Sequence, residues 1–148
     1  LCGTPNDLEG YKVTMRNRTV NRKKWAQDEL NQLLDDHETL PAQIFAWYSR
    51  TLRMRAGCTA FHPEAPQEIL NFGSDIFALR RDSTDGGLSV ICLFNFTAED
   101  SMVTEMSLLN SLFPHGKARD LISGGEIDWG QKDVLALRPY QALWLSTS

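Results

Sequence analysis

No apolar run in this 148-residue sequence approaches the roughly 18 residues that a membrane-spanning helix requires, and no signal-like apolar segment stands at its start. No membrane partner is therefore expected. Cysteine is scarce. Cys2, Cys58 and Cys92 cannot all pair with one another, and their spacing fits no zinc pattern. Free thiols point to a reduced, cytoplasmic setting, with Cys92, inside an apolar run, reading as a small buried hydrophobe. Also missing are a Gly-x-Ser-x-Gly nucleophile turn, a P-loop and a dinucleotide fingerprint, so no cofactor is expected. A retaining glycosidase needs two carboxylates about 5 Å apart across the sugar, and nothing here nominates such a pair. Asp35, Asp36 and Glu38 flank His37 between two helical stretches, which reads as a solvated cluster and not as a metal site. His62 and His115 sit beside prolines in turns and read as exposed. Neither a catalytic residue nor a metal-ligand set is expected in this chain.

What is present is an ordinary globular composition with an uneven charge. Hydrophobic residues make up 42% and charged residues 23%, which argues against wholesale disorder. One domain with a real core fits in this length, whereas a whole (β/α)8 barrel of about 250 residues does not. The net charge of −4 conceals a basic segment, residues 1–24, with six Lys/Arg against two acids. The remaining residues carry nine against seventeen. A basic loop on an acidic body suits an anionic ligand at the loop better than a nucleic acid, and no nucleic-acid partner is expected. The segment opens with Gly3, Pro5, Asn6 and Asp7 and continues through Arg16, Arg18, Arg22, Lys23 and Lys24, with few apolar anchors. Long loops of this kind normally ride on a rigid scaffold. It reads as the tail end of a larger enzyme.

Helical and strand patterns then follow in that order. Trp25–Asp36 is a short amphipathic segment. The main helix is expected from Thr39 to about Ala56, with Thr39 capping it, Pro41 in its first turn and Gly57 stopping it in the left-handed conformation. Ile44, Phe45, Tyr48, Leu52 and Arg55 recur at helical spacing. Beyond Phe61 the period becomes two. Glu68–Phe72, Asp75–Arg81 and Leu88–Phe96 read as strands, the last two joined at Asp85-Gly86-Gly87. Met102–Leu108, Ala118–Ile122, Val134–Leu137 and Tyr140–Leu145 continue the series, and the spacing argues an antiparallel β-sandwich. Among the tryptophans, Trp47 and Trp144 fall in apolar patterns and are expected in the core. Trp129, in a Gly-rich turn region, is the candidate for an exposed sugar platform.

Gly3-Thr-Pro-Asn-Asp-Leu-Glu, followed by Arg18-Thr-Val-Asn-Arg22, resembles the loop after the eighth barrel strand of sucrose phosphorylases, a branch of the α-amylase superfamily (glycoside hydrolase family 13). Leu52-Arg-Met-Arg-Ala-Gly-Cys-Thr-Ala-Phe61 resembles that family's last barrel helix and its exit. Leu137-Arg-Pro-Tyr-Gln-Ala-Leu-Trp-Leu145 is similar to the closing strand of its C-terminal β domain. Lys23-Lys24-Trp25 and Phe61-His-Pro-Glu-Ala-Pro-Gln are nearer to the glucosylglycerate-phosphorylase side of the branch. Asn17 departs from the pattern, standing where the family usually has Gly.

The resemblance implies that residues 1–60 are the last loop and helix of a truncated (β/α)8 barrel and that residues 61–148 form an antiparallel β-sandwich. It implies a parent enzyme in which a barrel Asp attacks an α-glucoside, a barrel Glu protonates the leaving group and inorganic phosphate captures the glucosyl-enzyme. Arg18, with Arg22 as second choice, would grip the glucosyl unit, and Asn6 and Asp7 would shape the loop. The partners so implied are the rest of the barrel, the α-glucoside and phosphate; the chain itself would be non-catalytic. Its main helix would then expose an apolar face. The competing reading is a free-standing carbohydrate-binding β-sandwich presenting Trp129.

Overall fold

The computed structural model describes residues 25–130 and 134–147. They fall into two compact units that divide between Tyr48 and Ser49.

In the first unit, α1 (Gln27–Asp35) starts with Asp28 and Glu29 in its first turn, where carboxylates favour the helix dipole. The longer α2 (Leu40–Gly57), which runs from the first unit into the second, begins as the sequence suggests. The Thr39 hydroxyl lies 3.4 Å from the Ala42 N–H, and the Thr39 carbonyl accepts from Gln43 N–H at 3.0 Å. Its end differs from the expectation. Gly57 is the last helical residue and does not take a positive φ. The chain instead extends at Cys58 and closes a 3-10 turn over Thr59–Phe61. Among the side chains of α2 only Ala42 is buried.

The second unit is built on antiparallel pairing throughout. Among the described residues eight strands, β1 (Gln67–Asn71), β2 (Ile76–Asp82), β3 (Ser89–Asn95), β4 (Ser101–Met102), β5 (Lys117–Asp120), β6 (Glu126–Asp128), β7 (Ala136–Leu137) and β8 (Ala142–Ser146), form two sheets. The larger runs β1-β2-β3-β8-β5-β6 and the smaller pairs β4 with β7. Strand β3 is central, and Val90, Ile91, Cys92 and Leu93 are all buried because both of its faces are covered. One face carries the main core, including Phe72, Ile91, Leu93, Leu109, Trp129, Leu137 and Leu145. The opposite face carries a second cluster of Ala60, Val90 and Cys92, joined by Phe61, Leu79, Phe94 and Trp144.

Where Met102–Leu108 was expected as one strand, the chain makes two residues of β4 and then α3 (Met106–Leu112). Met106, Leu109 and Leu112 recur at helical spacing, and this turns them toward the main core. Asn95 pins the sheets together. It is buried, and its Nδ2 donates to the carbonyls of Glu99, Leu137 and Arg138 at 2.7, 3.3 and 2.9 Å.

Candidate functional site

Asn6, Asp7, Arg18 and Arg22, the residues that the loop pattern nominates for substrate, lie outside the described residues. Among the described residues no group of three or more His, Cys, Asp or Glu could hold a metal ion. His37 and its acidic neighbours are exposed, as are His62 and His115.

The tryptophans correct two expectations. Trp129 is no platform, being only 2% exposed. Its indole N–H donates to Asn110 Oδ1 at 2.8 Å, and its ring meets Phe113 edge-on at 5.6 Å. The Gly-rich turn does not lift it outward: Gly116 and Gly130 let the backbone close tightly enough to bury it. Trp47, placed in the core by its apolar pattern, is 56% exposed. Trp144 does join an apolar cluster, against Phe61 with ring centroids 4.5 Å apart.

Trp144 Nε1 is buried and has no hydrogen-bond partner among the described residues. An unpaired buried donor costs free energy, and removing it is close to neutral when the shape is kept. Trp144→Phe should therefore change the unfolding free energy by no more than about 1 kcal/mol, despite the volume lost. Trp144→Ala should cost about 3 kcal/mol by emptying the space under Phe61. Urea unfolding of the two variants checks this, and equal losses would refute it.

Two of the clefts among the described residues of the β unit are of modest size. One, of about 430 Å³, includes His115, Lys117, Arg119 and Glu126 in its lining. Its lysine is already engaged, donating to Glu126 at 3.1 Å and Asp128 at 3.0 Å. Those two hydrogen bonds, Asp128 first, hold the Lys117 ammonium above its ordinary pKa, while Lys117 and then the Gly130 N–H hold the Asp128 carboxyl below its own. The other cleft, about 440 Å³, lies between the end of α2 and the 3-10 turn and is lined by Leu52, Cys58, Phe61 and Pro63 among others. Neither assembles a nucleophile with a base, or a pair of facing carboxylates. Cys92 is inert as a nucleophile, since burial pushes its thiol up to about 12.

What the structure does present are apolar surfaces. Leu40, Ile44, Phe45, Trp47, Tyr48 and Leu52 of α2 are all exposed, Leu40 to 67%. That is far more contiguous apolar side chain than a helix of a self-contained domain normally shows to water. None of the described helices is long and apolar enough to cross a membrane.

A family model described as "Amylosucrase, C-terminal domain" matches residues 70–146, the stretch from the end of β1 to β8. The chain is 33% identical over 157 residues to a glucosylglycerate phosphorylase of Spirochaeta thermophila, covering 95% of this chain and 26% of that protein. It is 32% identical to one of Allomeiothermus silvanus, covering 98% of this chain and 22% of the relative. For one of Escherichia coli the identity is 30%, with 98% and 24% covered. The chain thus spans about a quarter of the length of these curated relatives.

Proposed function

The chain belongs to the amylosucrase C-terminal-domain family, and from that premise we propose that it is the C-terminal part of an α-glucosyl phosphorylase. The parent would carry out reversible phosphorolysis of glucosylglycerate, or of a related α-glucoside such as sucrose, to α-glucose 1-phosphate. A retaining double displacement accounts for that outcome: a carboxylate outside this chain attacks the anomeric carbon from the face opposite the leaving group, which departs with a proton from a second carboxyl group, and a phosphate oxygen then displaces the carboxylate from the face the leaving group vacated. The observation that carries the reading is similarity to glucosylglycerate phosphorylases along nearly the whole chain.

Within the proposed parent, residues 1–60 complete the catalytic barrel and residues 61–148 support it. The apolar surface of α2 agrees with this, since it is suited to burial against a larger body. Arg18, or Arg22 as second choice, would supply forked donors to the glucosyl hydroxyls, with Asn6 and Asp7 shaping the loop. The free Cys58 and Cys92 fit a cytoplasmic enzyme. The rival reading of a free-standing carbohydrate-binding module loses its platform with Trp129 buried.

The test is a chimera in which this chain replaces the matching segment of the Escherichia coli relative. It should release α-glucose 1-phosphate from glucosylglycerate and phosphate. Arg18→Ala in that chimera should lower kcat/KM about a hundredfold, the loss expected when a charged bidentate contact to the sugar disappears. A soluble, cooperatively folded chimera that phosphorolyses no α-glucoside would overturn the proposal.

A further inference from the structure

We infer that Phe77, Phe94 and Phe96 form the seat on which the catalytic body of the parent enzyme docks against the β unit; this rests on the phosphorylase reading above. The register of the large sheet puts the relevant side chains in rows. Ile69, Leu79, Cys92 and Trp144 stand opposite one another across β1, β2, β3 and β8, and Asn71, Phe77, Phe94 and Ala142 make the next row. Alternation along each strand places both rows on the face away from the main core.

The first row is partly roofed. Phe61, from the 3-10 turn, lies over Trp144, and Arg81 holds this turn down. The Arg81 guanidinium donates to the carbonyls of Ala60 and His62, both at 2.8 Å, and to Gln67 Oε1 at 3.1 Å. It also lies 6.0 Å from the centre of the Phe61 ring. Among the described residues no side chain roofs the second row in this way: Phe77 is 42% exposed, and Phe96, two residues past Phe94, is 68% exposed. The uncovered end of the first row is Ile69, 73% exposed. The three phenylalanine rings sit 6.0 to 6.4 Å apart, Phe94 and Phe96 stacked within 15°. A sandwich that faces water on this side alternates apolar-in with polar-out; here the outward positions are aromatic.

The path of the chain identifies the occupant. The relatives are about four times as long as this chain, and the matched family is by its description a C-terminal domain. The body of the proposed parent therefore connects to the β unit through the end of α2. Only nine residues separate Gly57 from the first residue of β1 at Gln67, and Cys58, Ala60 and Phe61 among them pack into the cluster on this same face. So short a connection, already packed on the first row, brings the incoming body over the second. The three phenyl rings carry no hydrogen-bonding group, whereas a sugar site also needs well-placed polar partners, so the seat fits a protein surface and not a sugar.

Hydroxyl-radical footprinting of the free 148-residue chain and of the active chimera tests this. Phe77 and Phe96 should be oxidised readily in the free chain and protected severalfold in the chimera. The double variant Phe77→Lys, Phe96→Lys should lower the melting temperature of the chimera by several degrees. It should leave that of the free chain unchanged, because exposed substitutions cost little there. Full reactivity of both phenylalanines in an active chimera would overturn the inference. So would protection in the free chain that grows with its concentration, which would assign the seat to a second copy. Loss of reactivity on adding gluco-oligosaccharide would assign it to sugar. A chimera without phosphorolytic activity would instead count against the phosphorylase reading.

Discussion

Gly116→Ala is expected to remove stable folding of the β unit, with a loss of about 4 kcal/mol or more. Gly116 has φ +63°, a conformation that costs an L-residue roughly 1 to 2 kcal/mol. Sterics add the larger share. A Cβ there would stand 2.4 Å from Gly130 Cα and 2.8 Å from Gly130 N, and both are backbone atoms that no rotamer change can move. The clash falls where the chain is held at both ends: Gly116 N–H donates to the Phe113 carbonyl at 2.9 Å, and the Gly116 carbonyl accepts from Trp129 N–H at 2.8 Å. Spreading this crossing would pull Trp129 from Asn110 and Phe113 and open the main core. Gly86→Ala is the control. Its φ is +71°, but nothing lies within 4 Å of the added carbon, so it should cost only about 1 kcal/mol. Thermal unfolding followed by circular dichroism separates the two, and similar melting temperatures would sink the argument.

That crossing also shows how far the sequence could be read. Periodicity was enough for the two leading helices followed by strands, though not for α3 among those strands, and for β1, β2, β3 and β8 to within two residues at either end. These are long, strongly patterned segments bounded by turn residues, the condition under which periodicity informs most. It failed where local pattern and tertiary environment part. Trp129 lies among glycines and acids that mark a surface turn, but two glycines brought face to face at 116 and 130 bury it. That contact joins residues 14 apart and leaves no local signal. Trp47 was misplaced for the converse reason. An apolar stripe on a helix says that the face is meant for burial, not that the partner lies within the same chain segment.

The surfaces now proposed as docking faces had a partial signature. Leu88–Phe96 is apolar at nearly every position, which marks a strand covered on both sides. The sequence cannot say that one of the covers stops short at Phe94. The loop candidates Asn6, Asp7, Arg18 and Arg22 rest on motif resemblance, and their chemistry needs a carboxylate-bearing site from elsewhere in the proposed parent.

Asp120→Ala should be nearly as damaging, at about 3 to 5 kcal/mol, and here the cause is polar. Asp120 is 2% exposed at the point where β5 leaves β8. Its Oδ1 accepts from Trp144 N–H at 2.9 Å and Ile122 N–H at 3.1 Å, and its Oδ2 from Ser123 N–H at 2.9 Å. Alanine would leave these three donors in an interior that water does not readily reach, and each unpaired buried donor costs about 1 to 3 kcal/mol. Asp120→Asn keeps one carbonyl oxygen for Trp144 and Ile122 but turns an NH2 toward the Ser123 N–H, so a loss of about 1 to 2 kcal/mol is expected. The order wild type, Asn, Ala follows from donors and acceptors alone, since the three side chains leave the backbone path open. The damage should also spread. Arg50 of α2 donates to the Ser123 carbonyl at 3.0 Å, and Ser123 is held in place by Asp120. Loosening the turn should therefore release the last turns of α2 from the sheet. Hydrogen exchange at residues 50–57, measured on Asp120→Asn so that the fold is retained, should accelerate relative to wild type. Unchanged exchange there, or Asn destabilising as much as Ala, would show that the carboxylate is not what organises this corner.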